Sequence, residues 1–149
     1  HIASNLFTGS NKDMFFAINV RRPAQSSMPL ASGVEIVNNT IVSANIAAIA
    51  LADEYGNEPA GRRPLVQNNI LGRQKHDICG LARTRTNVVV SGNACPGDRT
   101  GNPQLAAGGT PSAASGKLLA DGTEDGSPAT DLTGAKRTDP PAVGAFELP

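Results

Sequence analysis

Val34-Glu35-Ile36-Val37-Asn38-Asn39-Thr40-Ile41 returns thirty residues later as Pro64-Leu65-Val66-Gln67-Asn68-Asn69-Ile70-Leu71. Each copy is an apolar start, an alternating stretch, a polar turn centred on Asn, and a second apolar residue. Working outward, the phrase reads again in Val88-Val89-Val90-Ser91-Gly92-Asn93-Ala94-Cys95, and in shortened form in Ile2-Ala3-Ser4-Asn5-Leu6-Phe7. Stacked, the copies give columns: Ile2, Ile36, Val66 and Val90; Asn5, Asn39, Asn69 and Asn93; Phe7, Ile41, Leu71 and Cys95. A sequence that repeats one short unit at roughly this period stacks its copies, because no single copy can bury its own apolar face. Asn at the bend tolerates left-handed backbone. Its amide can also donate to and accept from the amide above and below, which makes burial affordable. The plainer alternative is that Asn-Asn marks surface turns; the constant register of four copies favours the ladder.

A second strand is expected after each copy: Phe16–Val20, Ala47–Leu51, Asp77–Leu81 and, more weakly, Pro103–Leu105. Excursions at Arg21 to Ser32, Ala52 to Arg63 and Arg83 to Thr86 lead back to the next copy. The strands are short and no stretch shows a 3.6-residue period, which argues against a helix-bearing fold. The expected fold is therefore all-β: a right-handed parallel β-helix, a solenoid of about four rungs in residues 1–95. Residues 96–149 are expected to form a loop-rich C-terminal wrap of the same domain. Gly, Pro, Ala and Ser dominate there to about residue 130, and Ala142–Leu148 reads as a closing strand.

Composition agrees with a narrow stacked core. Aromatics make up 3% of the 149 residues and there is no Trp, while 16 Gly and 11 Pro serve turns. The formal net charge is zero, which gives no general reason to expect a nucleic-acid partner. No apolar run approaches a membrane span. Residues 1–4 lack the features of a signal peptide, so the chain reads as already processed or as a fragment. The end at His1 would leave strand edges open, so upstream rungs or another subunit are expected there.

The resemblance that these features carry extends over nearly the whole chain. The Asn-Asn rungs, together with Ser127-Pro128-Ala129-Thr130-Asp131, Gly134, Arg137 and Val143-Gly144-Ala145-Phe146-Glu147, resemble a large group of secreted bacterial parallel β-helix proteins. That group includes the chondroitinase-B-like and alginate-lyase-like polysaccharide lyases. The resemblance implies an extracellular or cell-surface location and a polysaccharide partner; it does not fix a substrate. Within the closing segment, Arg137 and Glu147 are expected to pair across a turn.

Candidate chemistry follows from the charges. Arg21, Arg22, Arg62, Arg63, Arg83 and Arg85 fall in successive excursions that could share one corner. Their planar forks suit the carboxylates or sulfates of an anionic polysaccharide, with Tyr55 available to stack on a sugar ring. The competing reading pairs these cations with Asp53, Glu54 and Glu58. Those acids could also offer oxygens to Ca²⁺, although their spacing matches no calcium loop; no other cofactor is expected. A lyase reaction would need a base and a cation beside a uronate carboxylate, for which Lys75, Arg73 and His76 are the candidates. The alternative function is a non-catalytic structural or adhesion module that stacks on a partner. Cys79 and Cys95 are the only cysteines. They fit one disulfide or, from a register placing them on different faces, two buried thiols.

Overall fold

A computed structural model describes residues 1–8, 15–22, 29–42, 44–106 and 108–149. The part of the expected excursion that spans 23–28 lies outside the described residues. Among the described residues, eleven short strands occur in the order β1 (Ile2–Ala3), β2 (Leu6–Phe7), β3 (Phe16–Val20), β4 (Glu35–Val37), β5 (Thr40–Ile41), β6 (Ala47–Leu51), β7 (Leu65–Gln67), β8 (Ile70–Leu71), β9 (Arg83–Arg85), β10 (Val88–Val89) and β11 (Arg99–Thr100). An α-helix, α1 (Gly116–Leu119), is a single turn, and short 3-10 turns lie at Asp53–Asn57, Ala60–Arg62 and Ala113–Ser115. The protein is thus mostly strand, with little helix.

The strands form parallel sheets. One runs β1-β4-β7-β9, a second β2-β5-β8-β10-β11, and a third pairs β3 with β6. Each pass of the chain therefore adds one strand to each of the first two sheets, which we call a tier. The columns are Ile2, Ile36, Val66 and Thr84 in the first sheet. In the second they are Phe7, Ile41, Leu71, Val89 and Thr100. Ile36, Ile41, Val66, Leu71 and Val89 point into one core with Ile18, Ile49, Leu51 and Tyr55. Small and branched side chains fill this space because each tier contributes only a few residues to it.

At every corner between the first two sheets the Asn doublet divides its work. The residue with left-handed backbone is Ser4, Asn38, Asn68 or Thr86, with φ between 51° and 54°. The following residue carries the ladder. Backbone N–H and Nδ2 of Asn5 both donate to Asn39 Oδ1, at 3.0 and 3.1 Å. Asn39 donates in the same two ways to Asn69 Oδ1, and Asn69 to Asn87 Oδ1, each at 3.0 Å. Asn87 donates to Asp98 Oδ1 at 3.2 and 2.9 Å. The expected fourth member, Asn93, is corrected to Asn87. The chain returns after only eighteen residues, and Arg83–Arg85 form strand β9 rather than an excursion.

The second expected strand also needs correction in its later copies. Asp77–Leu81 is a turn, closed by Leu81 and Ala82 N–H donating to the Ile78 carbonyl, both 3.0 Å. Where its backbone would have paired with β6, the Gln74 side chain stands in. Ile49 N–H donates to Gln74 Oε1 at 3.0 Å, and Gln74 Nε2 donates to the Ile49 carbonyl at 2.8 Å. Neither Pro103–Leu105 nor Ala142–Leu148 is a strand. The tail instead packs Leu119 and Val143 on Ile70 and Val88, forming a second small core outside the second sheet. It is tied down by the left-handed Asn residues: Asn38 Nδ2 donates to the Ala142 carbonyl at 3.0 Å, and Asn68 Nδ2 to Thr123 O at 2.6 Å.

Cys79 and Cys95 are joined by a disulfide, with Cα atoms 5.1 Å apart. The register that placed them on different faces relied on Asn93 sitting in the ladder. With Asn87 there, Cys95 falls beyond the strand and beside the turn that holds Cys79.

Candidate ligand-binding groove

Of the expected arginine corner, Arg22 and Arg62 line one groove with Tyr55. Arg22 is paired with Glu54 at 2.9 Å, and Arg62 with Glu58 at 3.8 Å. Arg63 donates to the carbonyls of Gly56, Glu58 and Gly80 at 2.8–2.9 Å, so its fork braces the backbone. Arg21 lies over the Phe16 ring, 5.3 Å from its centroid. Arg83 and Arg85 sit on β9, in register with Leu65 and Gln67. Arg83 Nε donates to the Arg63 carbonyl at 3.4 Å, and Arg85 is 3.5 Å from Asp125. Strand pairing fixes the backbone of both, with Arg83 beside Arg63.

Tyr55 is 1% exposed and its hydroxyl donates to the Ala31 carbonyl at 2.8 Å. Burial, with Glu58 nearby, raises its phenol above the ordinary range. It packs in the core and lies at the floor of the groove between Arg22 and Arg62. Asp53, Glu54 and Glu58 do not gather into a metal cluster among the described residues. Glu54 is held below its ordinary pKa by hydrogen bonding to its own backbone N–H and then to Arg22. A groove of about 430 Å³ does open here, between Arg22, Leu30, Glu54, Glu58 and Arg62. Its cations and anions already neutralise one another.

A different groove holds cations that have no anionic partner among the described residues. It encloses about 460 Å³ between Val42, Ala44, Gly72, Arg73, Lys75, Ser91 and Gly92. Those residues follow β5, β8 and β10, so the groove crosses three successive tiers. Among the described residues no carboxylate lies within ion-pair distance of Arg73 or Lys75. Alternation explains their orientation: Gln74 is fully buried and bonded to Ile49, so its two neighbours in extended backbone face the other way.

The strand that carries them is held on both sides. Ala48 N–H donates to the Arg73 carbonyl at 2.6 Å and Lys75 N–H to the Ile46 carbonyl at 3.1 Å. On the far side Gln74 N–H donates to the Ser91 carbonyl at 2.9 Å and Asn93 N–H to the Gln74 carbonyl at 2.6 Å. Asn93 Nδ2 donates to the Lys75 carbonyl at 2.9 Å. Asn93, displaced from the ladder, therefore positions the cationic strand. Gly92 has φ +110°, and a Cβ there would stand 2.2 Å from the Gln74 carbonyl oxygen. Only glycine permits this close approach of two tiers.

His76 is separated from its neighbours in role: its Nε2 lies 3.2 Å from the Leu51 carbonyl. The structure thus brings together two of the expected chemical candidates, Arg73 and Lys75. It adds Ser91, whose hydroxyl donates to the Gly72 carbonyl at 3.2 Å. The Arg-Gln-Lys triplet was the available signal, since a buried central amide implies two outward cations.

The closing segment brings Arg137 and Glu147 to 3.6 Å in a buried setting. The Arg137 fork also donates to the carbonyls of Ala142, Gly144 and Ala145 at 2.9–3.3 Å. Burial lowers the Arg137 pKa, and the charges of Glu147 and Asp131 counteract it. Every one of these contacts is internal to the chain. No family model, curated protein or solved structure matches this chain. No helix among the described residues is long and apolar enough to cross a membrane.

Proposed function

We propose that this chain is a segment of an extracellular, right-handed parallel β-helix that binds an anionic polysaccharide through the Arg73–Lys75 groove, as part of a polysaccharide-processing protein. The observation that carries this reading is a groove across three tiers that presents two cations, Arg73 and Lys75, with no carboxylate among the described residues within ion-pair distance. Neighbouring tiers are about 4.8 Å apart, so the groove presents an extended track rather than a closed pocket. An elongated polymer suits such a track better than a compact ligand does. Arg73 offers a fork to a carboxylate or sulfate, and Lys75 adds a point charge beside it. The β-helix itself is supported by three parallel sheets, the repeated return of the chain to each, and the Asn ladder at one corner.

The test is affinity electrophoresis in gels containing alginate, pectate or chondroitin sulfate, over a range of salt. Retardation is expected at low salt and should weaken as salt rises. It should be abolished by Arg73→Ala with Lys75→Ala, and preserved by Arg62→Ala with Arg85→Ala. Equal retardation of the first double variant and the unaltered chain would reject the groove. A lyase would use Lys75 as base and Arg73 to stabilise the developing enolate. Absorbance of unsaturated uronate product tests that extension separately.

A second reading, a structural module that stacks on a partner, draws on one observation. At the Asn5 end, β1, β2 and β3 each lie at the edge of their sheet, and among the described residues no group donates to Asn5 Oδ1. Light scattering over a dilution series tests it: a concentration-dependent mass supports stacking, and a constant monomer mass opposes it.

A further inference from the structure

Asp77, Cys79 and Cys95 place one carboxylate oxygen and two sulfurs within 4.8 Å of one another. We propose that reduction of the Cys79–Cys95 bond turns this group into a binding site for one thiophilic divalent cation, of which zinc is the model. The inference is independent of the polysaccharide reading.

Contacts other than their bond hold the two cysteines in place. Cys79 N–H donates to Asp77 Oδ1 at 2.9 Å, closing a tight turn that fixes the carboxylate beside the thiol. The same turn is anchored by Ile78, which is 1% exposed within the main core. Cys95 N–H donates to Asp98 Oδ2 at 3.0 Å, while Asp98 Oδ1 ends the Asn ladder. Both cysteine backbones are therefore fixed by carboxylates and core packing, so breaking the bond leaves the sulfurs facing each other. Zinc bound tetrahedrally to two thiolates at about 2.3 Å needs the sulfurs roughly 3.8 Å apart. Rotation about the cysteine side chains supplies that separation with the Cα atoms near their present 5.1 Å.

The reaction balances with a thiol or phosphine as reductant. With a thiol, two reductant molecules deliver two electrons and two protons to the disulfide and leave as their own disulfide. Cation binding then displaces the two thiol protons to solvent, and the Asp77 carboxylate adds the third ligand. Asp77 is exposed, so water completes the fourth position. The outcome is an exchange of cross-links: a covalent one in oxidising surroundings, a metal one in reducing surroundings.

The test uses the full chain, with and without reduction by a phosphine under argon, and zinc as probe in competition with a chromophoric chelator. One zinc per reduced chain and none per oxidised chain is the expected result. Cadmium in place of zinc should give thiolate charge-transfer absorption in the reduced chain alone. Asp77→Ala should weaken zinc binding about 10-fold or more, and Cys79→Ser should abolish it. Equal zinc uptake by the oxidised chain, none by the reduced chain, or unchanged affinity in Asp77→Ala would each overturn the site. Should the reduced chain lose its strand circular dichroism, stoichiometric zinc must restore it; failure to do so also overturns the proposal.

Discussion

The ladder at the tier corner has a direction. Each Asn donates through two N–H groups to the Oδ1 of the next Asn toward the C-terminus. The last residue in the column needs only to accept, and it is an aspartate. Asp98 Oδ1 takes both donors from Asn87, and Oδ2 takes the Cys95 N–H. An isosteric exchange therefore has opposite logic at the two sites. Asn69→Asp turns a carboxylate oxygen toward the carbonyls of Ile36 and Gln67 and toward Asn87 Oδ1. That substitution should cost about 3 kcal/mol or more, the usual range for an uncompensated buried charge. Asp98→Asn sets an amide N–H against the Cys95 N–H in a half-buried place and should cost about 1.5 kcal/mol. Urea midpoints measure both, and the reverse ranking would show the polarity to be misassigned. The columns at Asn5, Asn39 and Asn69 were readable because alternation and doublet agree there. Asn87 was hidden because Thr86 takes the left-handed position that Asn holds in two other tiers. A β-branched residue is strained at φ 54°. Thr86→Asn should accordingly raise stability by about 1 kcal/mol, readable as a rise in Tm.

Single elements explain where sequence and structure part. β3 and β6 were legible because five apolar-rich residues in a row have no other use. The turn at Asp77–Leu81 looked similar in hydrophobic content, yet its Asp and Gly favour a turn. What sequence alone could not reveal is that one buried glutamine can replace a strand. Gln74 satisfies both the N–H and the carbonyl of Ile49, and in doing so aims Arg73 and Lys75 outward. Gln74→Leu keeps the volume but orphans two backbone groups of β6, which predicts a loss of about 3 kcal/mol. It should also weaken polysaccharide retardation relative to the unaltered chain, measured at a temperature where both are folded. Conversely, only part of the expected arginine row lines a common groove, because like charges in equivalent excursions need not share a surface. The Arg63 fork is taken up by carbonyls and Arg83 Nε donates to the Arg63 carbonyl, and neither fate is marked in the local sequence.

At the scale of the whole molecule, the tail fastens the tiers from outside. Residues 119–148 cross the left-handed corner, and Gly144 N–H donates to the Asn68 carbonyl at 2.7 Å. A Cβ on Gly144 would meet Ile70 Cδ1 at 2.7 Å and Thr40 Oγ1 at 2.9 Å, so glycine lets the tail lie flat on two tiers. Asp131 is the hub of this fastening. Its Oδ1 accepts from Thr133 N–H, Thr133 Oγ1 and Ala135 N–H, and its Oδ2 from Glu147 N–H, at 2.7–3.0 Å. Burial raises its pKa, but the hydrogen bonds from Glu147, Thr133 and Ala135 outweigh it and leave the carboxyl below its ordinary value. The depressed value fixes the direction of the pH effect. In the unfolded chain the group titrates near pH 3.9, so the unfolded state takes up its proton first. Stability from Asp131 is full above that pH and drains away as pH falls through the lower folded value. Thermal melts from pH 6 to pH 2 should show Tm falling below about pH 4. Asp131→Asn should begin with a lower Tm at pH 6 and fall less steeply on acidification, because one acid-labile acceptor has been removed. Identical slopes in the two proteins would mean that the acid sensitivity of the molecule lies elsewhere.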